Sequence, residues 1–176
     1  MTADRRPLRS LADLLRDVVQ LAYVTDDIDA ATAWFESTLG TTRCHTRYQS
    51  SMGGLVTVDG VLADEWVIDV ALVNAGATNV EVIRPVSGAV EIYRDAIRPG
   101  APATFHHIGV RVDDFAEATA LVESTGRTWA QHGGLADSVL FGYVDLTAEL
   151  GHHIEVMQIA PGFQSYLDKL QAESST

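Results

Sequence analysis

Four residues far apart in the chain, Gln20, Glu81, His107 and Glu155, are of types that can share one divalent metal ion. Gln20 heads the run Gln20-Leu21-Ala22-Tyr23-Val24-Thr25-Asp26-Asp27. His107 heads a near copy 87 residues later, His107-Ile108-Gly109-Val110-Arg111-Val112-Asp113-Asp114. Each copy is followed, in a later apolar run, by a lone glutamate: Glu81 between Val80 and Val82, and Glu155 between Ile154 and Val156. One imidazole, two carboxylates and an amide form an oxygen-rich set suited to Zn²⁺, Ni²⁺, Co²⁺, Mn²⁺ or Mg²⁺ with water completing the coordination. Such an ion polarises a carbonyl and stabilises an enolate while a nearby carboxylate removes the α-proton. Oxygen activation at iron calls for two His and a carboxylate, and a single His among the four positions disfavours it. Taken singly, each residue is better explained as a polar side chain on the solvated face of an antiparallel sheet. Four at matching positions weaken that explanation, and a carboxylate bracketed by β-branched residues is costly without a cation or hydrogen bond.

The elements that must position these residues repeat in the same way. Val18 to Val24 reads as a strand; an Asp cap at Asp26 or Asp27 opens a helix carrying Ile28, Ala31, Trp34, Phe35 and Leu39 at helical spacing, stopped by Gly40. Strand-like runs at Leu55 to Val58, Trp66 to Val73 and Asn79 to Ile83 complete a β-α-β-β-β order. Val90 to Ile97 reads as a connecting helix, and Pro99-Gly100-Ala101-Pro102 as an inter-module linker. The order then recurs: a strand at Phe105 to Val112, a helix from Asp114 to Ser124, and extended runs at Thr128 to Gln131, Val139 to Asp145 and His152 to Ile159. The division is an N-terminal extension with a short helix (1–16), a first module with its connecting helix (17–98), a second module (103–160), and a C-terminal helix and tail (161–176).

Alternation along strands assigns the faces. His107 shares a face with Gly109 and Arg111, while His106 goes with Ile108, Val110 and Val112 toward the helix-packed core. Asp69 is expected to face the proposed cup with Ala71 and Val73, as are Gln20 with Ala22, Glu81 with Asn79 and Ile83, and Glu155 with His153 and Met157. Structural pairing of Asp69 with an Arg such as Arg111 is an even alternative. His45, His132 and His152 are expected at surface or structural positions, and Cys44 has no motif around it.

Composition narrows the partners. The chain has 176 residues, 47% hydrophobic and 20% charged, with 24 acidic against 12 basic side chains and a formal charge of −12. That charge repels nucleic acid and anionic membranes, and no apolar run reaches the length of a bilayer span. A single cysteine rules out an internal disulfide, which fits a cytoplasmic protein.

Taken together, these runs resemble the vicinal oxygen chelate superfamily, which includes glyoxalase I, methylmalonyl-CoA epimerase, extradiol dioxygenases and bleomycin-resistance proteins. The resemblance spans about residues 17 to 160. It implies an α+β fold of two tandem βαβββ modules forming an open barrel-like cup around a metal held by Gln20, Glu81, His107 and Glu155. Local likeness is to the methylmalonyl-CoA epimerase branch, through Phe105 to Asp114, Thr78 to Pro85 and Gly151 to Glu155; the ligand set Gln, Glu, His, Glu resembles one class of glyoxalase I. The strand Val67-Ile68-Asp69-Val70 corresponds to one on which the epimerases carry a catalytic glutamate, which implies Asp69 as a base, with Glu155 as ligand and second acid/base. Arg111, His153 and Tyr143 are candidates for substrate contact. The expected protein is a metal-dependent isomerase or epimerase acting on a small-molecule carbonyl or acyl-thioester substrate, with Arg43, Arg47, Arg84 and Arg98 available for coenzyme phosphates, and forming a homodimer. A glyoxalase I-type lyase acting on a hemithioacetal is the alternative within the same chemistry, and a metal-free binding or resistance protein the alternative outside it.

Overall fold

The structure, a computed structural model, describes residues 6–50, 55–76, 78–135 and 138–173, without the side chains of 43–50, 55, 170, 171 and 173. Cys44, His45, Arg43 and Arg47 therefore lie outside the described side chains. The elements run α1 (Leu11–Leu14), a 3-10 turn (Leu15–Asp17), β1 (Val18–Val24), α2 (Ile28–Leu39), β2 (Thr42–Ser50), β3 (Leu55–Val58), β4 (Val61–Leu62), β5 (Trp66–Ala75), β6 (Thr78–Gly88) and α3 (Glu91–Arg94). They continue with β7 (Thr104–Arg111), α4 (Phe115–Ser124), β8 (Trp129–Leu135), β9 (Val139–Leu146), α5 (Thr147–Leu150), β10 (His152–Ile159) and α6 (Pro161–Glu173). The repeat is kept at the helix starts. Asp27 accepts a hydrogen bond from the Ala30 N–H and Asp114 from those of Ala116 and Glu117, so each Asp-Asp pair ends a strand and satisfies the first turn of the next helix. Gly40 closes α2 at φ 66°, a conformation that favours glycine.

All ten strands form one sheet in the order β2-β5-β6-β1-β7-β10-β9-β8-β3-β4. At about 4.8 Å per strand, β5 and β9 would stand roughly 24 Å apart in a flat sheet. The Trp66 and Phe141 rings they carry are 5.6 Å apart, so the sheet is curled into an open cup. Apolar residues from β1, β3, β5, β6 and β9, among them Val24, Val56, Ile68, Ile83 and Tyr143, meet on the concave side. The helices cover the convex side: α2 packs Ile28, Ala31 and Phe35 on Ala71, Val73, Val80 and Val82. On the other half, α1 and α4 pack Leu14, Ala118, Leu121 and Val122 on Val110, Ile154 and Val156.

Three elements depart from the sequence reading. The second strand of the first module is Thr42–Ser50, not Leu55–Val58. It is an edge strand, paired on one side only, and its polar sequence lacks the alternation that marks a half-buried strand. Leu55–Val58 instead opens a hairpin with β4 through Asp59 and Gly60, both at positive φ, and crosses to pair with β8 of the second module. The connecting helix is shorter than Val90 to Ile97, with regular helix only at Glu91–Arg94.

Candidate metal centre

The register of the four central strands assembles the site. β1 pairs in parallel with β6, placing Ala22 beside Glu81, and antiparallel with β7, placing Ala22 beside His107 and Gln20 beside Gly109. β10 pairs in parallel with β7, placing Glu155 beside Gly109. Two rows result, Glu81-Ala22-His107 and Gln20-Gly109-Glu155, each with a small residue between two polar ones. The small residues leave the space into which the polar side chains lean. A Cβ on Gly109 would come within 3.0 Å of the Gln20 Cβ and 3.3 Å of its Oε1, so the glycine is what lets the Gln20 side chain lie over the strand.

Ligand-capable atoms of Glu81, His107 and Glu155 all lie within 4.8 Å of one another. His107 Nε2 is 3.2 Å from Glu155 Oε2 and 3.7 Å from Glu81 Oε2, yet it is buried with no hydrogen-bond partner among the described residues. Gln20 donates through Nε2 to Asn79 Oδ1 at 2.8 Å, which holds its amide and leaves Oε1 as an acceptor beside Gly109.

Hydrogen bonds behind the site fix the His107 tautomer. His106 Nε2 is 2.9 Å from the Ile92 carbonyl, which can only accept, so the proton of the neutral His106 ring is on Nε2. Burial, followed by His107 and His153, lowers the His106 pKa and keeps the ring neutral. Its bare Nδ1 then accepts from His107 Nδ1 at 2.8 Å. That leaves Nε2 as the His107 nitrogen available to a metal, directed among two carboxylates. Three electron-rich groups converging without a donor repel one another unless a cation joins them, so the donor set fits a divalent ion. Without metal, a proton can take that place: burial and then the Glu155 charge push the Glu81 carboxyl up to about 8.

Other sequence candidates fall differently. Asp69 does not face the cup. Ile68, Val70 and Leu72 line the cavity, so alternation turns Asp69 to the convex side, where its fully buried carboxylate accepts from Arg84 Nε at 2.6 Å. The assignment of Ala71 and Val73 to the cup fails for the same reason, since both pack under α2. Arg111 is turned away from a substrate role: Nε bonds Asp17 at 2.8 Å and Nη1 bonds Gln164 at 3.0 Å. His153 shares the face of Glu155, but His106 stacks on it at 4.7 Å and it does not line the cavity. Its pKa is lowered, chiefly by burial. Tyr143 does line the cavity, and its hydroxyl accepts from that of Tyr93 at 3.2 Å. Burial raises both phenol pKa values.

His106 is the residue that strand parity misplaced. Between β1 and β7 the register slips, with Tyr23 opposite Phe105 and Ala22 opposite His107. His106 is thus the extra residue of a β-bulge, which re-aims its side chain from the helix side to the back of the site. Tyr93 and Trp66 were also missed as site residues. They lie in runs whose apolar character reads equally well as ordinary core.

A cavity of about 300 Å³ opens from Glu81, Glu155 and Gln20 between walls from β5, β9 and α6. No helix among the described residues is long and apolar enough to cross a membrane. Known structures share the fold. Methylmalonyl-CoA epimerase from Mycobacterium tuberculosis is 15% identical, with a TM-score of 0.57 over 92% of this chain and 97% of that one. Hypothetical protein BH1468 from Bacillus halodurans C-125 is 12% identical, with a TM-score of 0.56 over 82% of this chain and 94% of that one. A Streptomyces coelicolor methylmalonyl-CoA epimerase variant in complex with 2-nitronate-propionyl-CoA is 15% identical, with a TM-score of 0.53 over 82% and 97%. No curated protein matches the sequence. The family model described as Glyoxalase/Bleomycin resistance protein/Dioxygenase superfamily matches residues 19–143, and with the paired modules curled around their central strands the chain belongs to that superfamily.

Proposed function

We propose that the protein is a metal-dependent isomerase or lyase that moves a proton next to a substrate carbonyl. The observation that carries this reading is the convergence of His107 Nε2 with Glu81 and Glu155, both of which line the cavity. His107, Glu81 and Glu155 would hold a divalent cation, with Gln20 Oε1 as a fourth donor. Once bound, the cation supplies Lewis-acid polarisation of the carbonyl and lowers the cost of the enolate. Glu155 is the candidate base. It stands at the cavity wall, takes the α-proton onto its carboxylate and returns it to the substrate after rearrangement. Asp69 has no part in this, because Arg84 holds it on the other side of the sheet. The Tyr93–Tyr143 hydroxyl pair stays neutral, and Tyr143, which accepts from Tyr93, keeps its own O–H to donate to a substrate oxygen.

The likeness to epimerases of acyl-CoA esters favours epimerisation. The set Gln20, Glu81, His107 and Glu155, which resembles that of one class of glyoxalase I, favours a glyoxalase I-type lyase as the second reading. Metal analysis of the purified protein, followed by solvent deuterium exchange into candidate thioesters and hemithioacetals, tests both. The expected result is about one divalent ion per chain, with exchange lost in Glu155→Gln. Retention of ligand binding without any metal, unaffected by Glu155→Ala, would instead mark a metal-free binding protein.

A further inference from the structure

The walls of the cavity define what the substrate carries beyond its reacting carbonyl. Trp66, Ile68, Phe141, Met157, Phe163 and Leu167 surround the space above the carboxylates, and among the described residues no positively charged side chain lines it. Of the nearby arginines with described side chains, Arg84 is committed to Asp69 on the convex side and Arg111 to Asp17 and Gln164; Arg47, opposite Val70, lies outside the described side chains. A carboxylate or phosphate in this space would lose its hydration without gaining a counter-charge from any described side chain. At a share of about 30 Å³ per water, the part of a ligand enclosed by 300 Å³ is on the order of ten non-hydrogen atoms, and a larger substrate would extend out through the open mouth.

Building on the metal-centre reading, we infer that the substrate is a carbonyl compound whose non-reacting body is an uncharged aryl or branched-alkyl group of about ten non-hydrogen atoms. The cavity end of the molecule binds by apolar burial, and the carbonyl end by the carboxylate-imidazole cluster.

Hydroxamic acids separate the two contributions, because the head group chelates a metal and the tail enters the cavity. The Co²⁺-loaded protein is titrated by calorimetry with acetohydroxamic acid, hexanohydroxamic acid and succinic monohydroxamate, with the visible Co²⁺ spectrum as a second readout. At about fourfold per methylene as an upper value, the hexano compound is expected to bind at least tenfold more tightly than the aceto compound. The succinic compound is expected to bind no more tightly than the aceto compound. Phe163→Ala should reduce the hexano-to-aceto ratio. Equal affinity of the two alkyl compounds, or tighter binding of the succinic one, would overturn the substrate class while leaving the metal centre standing. No binding of acetohydroxamic acid would overturn the metal-centre reading and this inference with it.

Discussion

At the scale of single residues, the site is a balance between burying negative charge and supplying something positive to hold it. Glu81 is 16% exposed, and without metal its carboxyl is shifted up to about 8. The folded protein then binds a proton at Glu81 that the unfolded chain releases above about 4.5, so this contribution to stability falls as pH rises from 4.5 toward 8. Thermal melts of metal-free protein should show that decline. Glu81→Gln should remove it, and saturating metal should flatten it, because a cation replaces the proton. His106 acts one shell further out. Replacing it with Leu removes the acceptor for His107 Nδ1–H, frees the imidazole to change tautomer and should weaken metal binding about 10- to 100-fold. His106→Gln, which keeps an acceptor oxygen, should recover part of that loss. A comparable melting-temperature loss in both variants with unchanged metal affinity would mean that His106 only fills space.

At the scale of elements, strand register rather than helix placement builds the centre. The duplicated strands were legible as a repeat, and their Asp caps and glycine stop predicted the helices that follow. Parity placed Gln20, Glu81, His107 and Glu155 correctly on one face and kept Asp69 with Ala71 and Val73, but it failed to say which face of β5, a strand buried on both sides, is the cup. It failed for His106 as well, because an extra residue in β7 reverses the alternation locally. Neither has a sequence signature, since a strand buried on both faces does not mark which side is the cup and a bulge depends on what the partner strand does. Gly109, by contrast, could be read from the sequence as a small residue beside polar heads, and the register explains why. Gly109→Ala puts a methyl group against the Gln20 side chain and Met157 Cε, which should displace the fourth donor. A several-fold loss of metal affinity with a melting temperature lowered by only a few degrees is the expected outcome, measured by competition with a chromogenic chelator.

At the scale of the whole molecule, one curled sheet joins the halves, and the site draws Glu81 and Gln20 from one module and His107 and Glu155 from the other. The β3–β4 hairpin crosses from the first module to the outer strand of the second, so the modules are linked along the cup as well as at its base. A cation bound by both halves favours only the closed arrangement. Holding metal at about 100 times its dissociation constant should stabilise the fold by about 2.7 kcal/mol, and a chelator should lower the melting temperature of a single cooperative transition. Two separate transitions, only one of them metal-sensitive, would show that the ligands come from one module alone. By itself the sequence determined the duplication, the fold class and the four polar positions, because repeats, caps and apolar periodicity are local patterns. Only the tertiary structure decided that Asp69 turns outward to Arg84, that Arg111 is committed to Asp17 and Gln164, and that His106 leaves Nε2 of His107 available to a metal. Those outcomes depend on register, bulges and long-range partners, which no stretch of sequence contains on its own.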